Sequence, residues 1–412
     1  MPPVADLLAL GALAALLVTA FRHPSGRVEL VVGVLAVAVV AATGHLDDTV
    51  VGPTITHLGP VVVFLVTILV VADVCAAAGV FTWAADRIGR LRGGRTTAVF
   101  TGTFVAAALV TTALSLDATV VLLTPVVVAT SLALGTPYRP GATACLRMAN
   151  SASLLLPVSN LTNLLALPHL DLGFTGFALA MAPVLAVVLV VEYAGLRLLH
   201  RRDLSQPPTR APATAPLPVP VVPVTAVGLM LVGFAAASAA GLDPAWVSGV
   251  TALAMTAWAA GRGLTTPARV LHAAHPSFAV FVLALGLVVA ALGEGVLGDD
   301  LARLVPDGTD LVDLLWIAVV AALLSALVTN LSATLLLVPM LTGLGDQAVL
   351  AALLGLTIGS GLTWTGSLAT LLWRRSLLRQ GLPAPSRELH RVSLTLTPAC
   401  LVAAVATLWL TS

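Results

Sequence analysis

Two short polar stretches sit about half a chain apart in a sequence that is otherwise mostly hydrocarbon. Ser115-Leu116-Asp117-Ala118-Thr119 runs on through apolar residues to Pro125, and Thr329-Asn330-Leu331-Ser332-Ala333-Thr334 runs on in the same way to Pro339. Each is followed by a second polar interruption of an apolar run: Pro157-Val158-Ser159-Asn160-Leu161-Thr162-Asn163 in the first half, Gly361-Leu362-Thr363-Trp364-Thr365-Gly366-Ser367 in the second. Hydroxyls and amides both donate and accept hydrogen bonds, so these clusters suit a small polar solute. Asp117 adds a carboxylate, which costs roughly 3 kcal/mol at the centre of a bilayer and is a candidate ion or proton site wherever it is kept there.

The same residues have plainer readings. Asp117 could cap the helix that begins at Ala118, and Asn330, with Ser332 and Thr334 beside it, could bond neighbouring helices. One Ser or Thr in a membrane helix usually serves packing. Clusters at matching places in both halves, next to Pro157 or Gly366, point instead to a cavity wall. The binding set read from the sequence is therefore Asp117, Thr119, Ser159, Asn160, Thr162, Asn163, Asn330, Ser332, Thr334, Thr363, Thr365 and Ser367. Asp73, inside an apolar span, joins Asp117 as a candidate for proton coupling. Glu192 is expected to pair locally with Arg197, Glu294 falls near an interface, and Trp364 either closes the site or packs.

These residues need a membrane to be meaningful, and the composition supplies one. Of the 412 residues 58% are hydrophobic and 9% charged, against roughly 25% charged in soluble domains. Several runs approach the roughly 20 residues needed to cross the hydrocarbon core. The expected class is an all-α polytopic membrane protein. Cys75, Cys145 and Cys400 are far apart in apolar surroundings and read as packing, not metal or redox ligands. No Gly-Lys-Ser/Thr phosphate loop occurs, so the chain brings no ATPase of its own; no cofactor, metal or nucleic acid is implied.

Every basic residue other than histidine is arginine, which suggests a GC-rich bacterial source, and the arginines sort the loops by the positive-inside rule. With the amino terminus outside, the spans 7–20, 28–42 and 60–78 deliver Arg22 and Arg27, then His45, Asp47, Asp48 and His57, then Arg87 to Arg95 to alternate sides. The arms 97–114 and 119–134 have basic flanks at both ends, the signature of a re-entrant hairpin with Asp117 at its tip. A broken span 142–167 and a span 174–199 complete the half. The second half repeats the pattern with spans 219–240, 245–260 and 277–292, hairpin arms 314–328 and 335–344, a broken span 349–373 and a last span 392–410. On this path every arginine but Arg303 is cytoplasmic or at the cytoplasmic border, and none lies mid-membrane. Five crossings and a hairpin per half make an odd number, so the second copy is expected to be inverted. The division is 1–205 for the first repeat, 206–220 for a proline-rich cytoplasmic linker and 221–412 for the second repeat, with both termini outside a bacterial inner membrane. Interrupted helices at matching places in such repeats mark a transporter's substrate site.

The segments Asp117-Ala118-Thr119, Leu123-Thr124-Pro125, Val158 to Asn163 and Gly366-Ser367-Leu368-Ala369-Thr370-Leu371-Leu372-Trp373 resemble the arsenite/antimonite efflux permeases of the ion transporter superfamily. The resemblance extends over nearly the whole chain, including Ala72-Asp73 and Gly79 to Ala85. Two places depart from the family pattern: Leu116 stands where that family has Asn before the tip Asp, and the second tip reads Thr-Asn-Leu in place of Asn-Asn. The resemblance implies a secondary transporter, not an enzyme, that exports neutral arsenite or antimonite hydroxide against a flow of protons. The alternatives are a sodium- or proton-coupled carrier of a carboxylate or other anion, or a sodium/proton antiporter. A homodimer and a cytoplasmic ATPase subunit are the partners such a carrier would leave room for.

Overall fold

Apolar runs become helices here, and prolines or clusters of capping side chains end them. The computed structural model describes residues 4–22, 26–211, 215–293, 305–306, 308–364, 366–384 and 386–411. Among these every regular element is a helix. Thr365, Glu294 and the acidic loop with Asp299, Asp300, Arg303 and Asp307 lie outside the described residues. Seven described helices are long and apolar enough to cross a membrane, among them Asp48–Ala77, Phe174–Leu199, Val221–Ala239 and Ser386–Thr411. The expected spans 28–42 and 245–260 are the helices Gly26–Ala42 and Pro244–Gly261.

Two boundaries differ from expectation for local reasons. The third span begins well before Pro60, because the Asp47 carboxylate accepts the Thr49 and Val50 N–H groups and caps a helix of 30 residues. His57 is consequently helical, not part of a loop. The second arms of both hairpins also begin earlier, at Leu116 and Asn330, since the polar tip residues are themselves the first helical turn.

The first hairpin joins Thr96–Ala113 to Leu116–Leu134, and the second joins Leu311–Val328 to Asn330–Leu341. In the first, residues Thr119–Leu123 form a π-turn just ahead of Pro125. Proline has no N–H and its ring crowds the carbonyl four residues back; the wider turn accommodates this, and Thr124 Oγ1 donates to the Thr119 carbonyl at 2.9 Å. After each hairpin the chain crosses as two half-helices. Arg139–Ser151 and Leu161–Ala166 are separated by short 3-10 turns with Leu156 and Asn160 extended. Asp346–Gly359 and Leu368–Arg379 are separated by one such turn, with Thr363 and Ser367 extended.

In each half the first hairpin arm packs along the half-helix that follows the hairpin. The second half does this at very close range. A Cβ at position 355 would sit 2.1 Å from the Ala318 carbonyl oxygen, and one at 359 would sit 2.3 Å from the Ala322 Cβ. Only glycine fits at Gly355 and Gly359, and the facing residues are the small Ala318, Ala321 and Ala322, the usual basis of tight helix pairs in lipid. The two final helices, Phe174–Leu199 and Ser386–Thr411, pack on each other. The early helices are exchanged between halves: Gly26–Ala42 lies on Pro276–Gly293, and Pro244–Gly261 lies on Asp48–Ala77.

The described parts of the proline-rich linker, 206–211 and 215–220, are held against the base of the first hairpin and the helix Val80–Gly89. The N–H groups of Thr209 and Arg210 both donate to the Leu134 carbonyl at 3.1 Å, Thr96 Oγ1 donates to the Gln206 carbonyl, and Leu217 N–H donates to Asp86 at 3.1 Å.

Candidate functional site

Four polar segments that are far apart in sequence meet at one internal cavity of about 80 Å³. By the measure in which one water needs about 10–15 Å³, this is room for several waters or one small solute. Its polar wall is Ser115 and Asp117 from the first tip, Ser159, Asn160 and Thr162 from the first break, Thr329 and Asn330 from the second tip, and Ser367 from the second break. The apolar wall includes Phe64, Phe278 and Phe281. Among the described residues no arginine or histidine lines it.

Each polar residue is held by local chemistry. Ser115 accepts the Ala118 N–H at 3.3 Å and caps the first tip helix. Asp117 is half-buried, and its Oδ1 is buried with no hydrogen-bond partner. Ser159 Oγ donates to the Thr112 carbonyl at 2.7 Å, which ties the first break to the hairpin arm beside it. Asn160 caps the second half-helix by accepting the Thr162 N–H, while its Nδ2 donates to Ser153. At the second tip, Asn330 N–H donates to the Gly366 carbonyl at 3.0 Å, and Ser367 accepts the Ala369 N–H at 3.2 Å. The starts of four helices, Leu116, Leu161, Asn330 and Leu368, thus sit at or beside the cavity, and the partial positive ends of their dipoles are directed there.

Several residues of the expected set support this wall from behind. Thr119 bonds Thr111 at 2.7 Å. Asn163 donates to the Ser153 and Leu156 carbonyls. Ser332 bonds Thr329, Thr334 donates to the Asn330 carbonyl, and Thr363 donates to the Ala326 carbonyl while accepting the Gly366 N–H. Trp364 does not reach the cavity; it stacks on Trp373 at 6.4 Å and carries Arg374 over its ring. The structure places Asp73 away from the site, in a bidentate pair with Arg269 at 2.8 and 3.1 Å. Its side chain is 26% exposed.

Two expectations are corrected. Glu192 does not pair with Arg197, whose guanidinium lies over the Tyr193 ring. It pairs with Arg147, which is fully enclosed and donates from Nε to both carboxylate oxygens at 3.0 Å. An arginine therefore does lie in the interior. Ser151 Oγ donates to Glu192 at 2.9 Å, and Arg147 Nη1 donates to Thr397 at 3.1 Å, so the pair is satisfied on both sides. Arg147 and Ser151 stand four residues apart on one helix face, a polar pair visible in the sequence although its pairing with Glu192 is not. The three cysteines are free and buried, and no group of three metal-ligating side chains occurs among the described residues.

The arsenical pump membrane protein of Escherichia coli is 29% identical over 368 residues, covering 83% of this chain and 84% of that protein. The arsenical pump membrane protein of Yersinia enterocolitica is 27% identical over 368 residues with the same coverage. The YdaH transporter of Alcanivorax borkumensis, described as having an unusual topology, shares the fold with a TM-score of 0.60 and 19% identity, over 88% of this chain and 87% of that one. The citrate transporter family model matches residues 6–359. With that match over most of its length, the chain belongs to the citrate transporter family and is a multi-pass membrane transporter.

Proposed function

We propose that this transporter exports arsenite and antimonite as their neutral hydroxides, exchanging them for protons carried by Asp117. The observation that carries this reading is the wall of the cavity: among the described residues it offers hydroxyls and amides from both halves, one carboxylate, and no basic side chain. A small polyhydroxy solute carries both O–H donors and lone pairs and so suits such a wall. An oxyanion there would face Asp117 without a countercharge. The likeness to arsenical pump membrane proteins over four-fifths of the chain supports the same substrate.

A carboxylate carrier is the second reading. It is favoured by the family's description and by the four helix starts around the cavity, which attract anions. It needs Asp117 neutralised by a proton or sodium ion. In either case the two halves act as inverted repeats, with the stretch 206–220 cytoplasmic and both termini outside.

Everted membrane vesicles decide between the readings. Under an imposed proton gradient, wild-type vesicles are expected to accumulate arsenite saturably and to lose it on addition of a protonophore. Saturable uptake of citrate or succinate with no arsenite flux would replace the first reading by the second.

A further inference from the structure

The helix Arg139–Ser151 turns one polar face inward. Arg147 and Ser151 on that face bind Glu192, and between them Asn150, also buried, accepts a hydrogen bond from Ser367 Oγ at 3.1 Å. Ser367 belongs to the second break and lines the cavity; Asn150 belongs to the first half and does not. The bond spans the two halves of the chain and is the sole hydrogen bond described for the Asn150 side chain, whose Nδ2 makes none.

A serine hydroxyl has one proton to donate and two lone pairs. At Ser367 the proton is committed to Asn150, and one lone pair is taken by the Ala369 N–H. What remains for a solute is one lone pair. The matching hydroxyl of the first break, Ser159, is likewise committed, its proton going to the Thr112 carbonyl. Both break serines therefore meet the cavity as acceptors.

We propose that Asn150 is a specificity-determining positioning residue: by taking the Ser367 proton, it makes that hydroxyl an acceptor alone and so selects a solute that brings its own O–H groups. A protonated hydroxide satisfies such a site. An oxyanion brings fewer protons than oxygens, and its unprotonated oxygens are met by lone pairs. The inference deepens the arsenite reading and rests on it.

The test measures arsenite flux in everted vesicles, alone and with arsenate as a competing oxyanion. Asn150→Ala frees the Ser367 proton to rotate toward the cavity. Its arsenite KM should rise roughly five- to tenfold, the scale of one neutral hydrogen bond, with maximal flux near wild type, and arsenate should become an inhibitor. Ser367→Ala should raise KM by a similar factor without arsenate inhibition, because no hydroxyl proton is released. The double variant should be no worse than either single one, as expected for two members of one interaction. A merely structural role for Asn150 would not separate the two variants by their response to arsenate.

The proposal is overturned if Asn150→Ala keeps the wild-type KM and ignores arsenate, or if Ser367→Ala acquires the same arsenate inhibition. If Asn150→Ala does not reach the membrane, Asn150→Leu, of similar branched shape and equally without an accepting oxygen, carries the same test. Wild-type vesicles that move citrate and no arsenite would remove the proposed function by themselves. In that event Asn150→Ala should lower the citrate KM, since the freed hydroxyl becomes a donor to the anion; an unchanged or raised value would overturn the role of Asn150 as well.

Discussion

The two hairpin tips solve one geometric problem with different chemistry. Both place a helix start at the cavity wall, one residue after a hydroxyl-bearing residue, Ser115 in the first half and Thr329 in the second. Ser115 is extended and caps its helix through Oγ. Thr329 is at φ 84 and ψ 150, a region nearly confined to glycine, and its hydroxyl turns to Ser332 instead; the strain is of the order of 1–3 kcal/mol. The next positions are complementary. The first tip has Leu116 then Asp117, the second Asn330 then Leu331, so the charge and the amide are one helical residue apart in register. The first tip continues into a π-turn, the second into a regular helix. One tip is built around an unpartnered carboxylate oxygen and the other around an amide whose backbone is tied to Gly366. The difference separates a group that can change charge from one that can only bind.

The sharpest way to break this division is Asp117→Asn, which keeps shape and removes the titratable group. Expression in the membrane should survive while accumulation driven by a proton gradient is lost, and exchange of arsenite at equal concentrations should persist. Wild-type pH dependence of flux in that variant would leave Asp117 a structural residue. Next in size, Asn330→Ala should keep the pH dependence and weaken solute binding by about 1–3 kcal/mol if its partner is left unsatisfied. The arsenite KM measures it, and a loss confined to maximal flux would contradict the assignment. The smallest effect expected is from Thr329→Gly. It relieves the positive φ and gives up the long 3.3 Å bond to Ser332, so the purified protein should melt at a slightly higher temperature, consistent with a gain of about 1 kcal/mol. A lower melting temperature would show that the hydroxyl outweighs the strain.

Both tips and both breaks were legible in the sequence because prolines and dense hydroxyl and amide groups stand out within apolar runs. The exact register of the tips was not. The caps Ser115 and Thr329 align Asp117 with Leu331 and Leu116 with Asn330, an offset that polarity alone does not show. The supporting ring of Thr119, Asn163, Ser332 and Thr334 was named as binding, since a sequence shows polarity but not the direction a side chain faces. Arg147 escaped notice because its helix is the least apolar of the crossing segments and its partner lies on another helix, Phe174–Leu199. Asp73 looked like an interior carboxylate until Arg269, in the other half, was brought to it. Such long-range pairs leave no local periodicity to read.

The exchange of early helices between halves also bears on how the chain is made. When residues 1–205 have been inserted, Gly26–Ala42 has yet to meet Pro276–Gly293, and Asp48–Ala77 has yet to meet Pro244–Gly261. The first half leaves the ribosome before the partners of these faces exist, and its tip and break face a space that the second half will close. The cavity is therefore completed late in biosynthesis, only once Ser367, part of its wall, has been made.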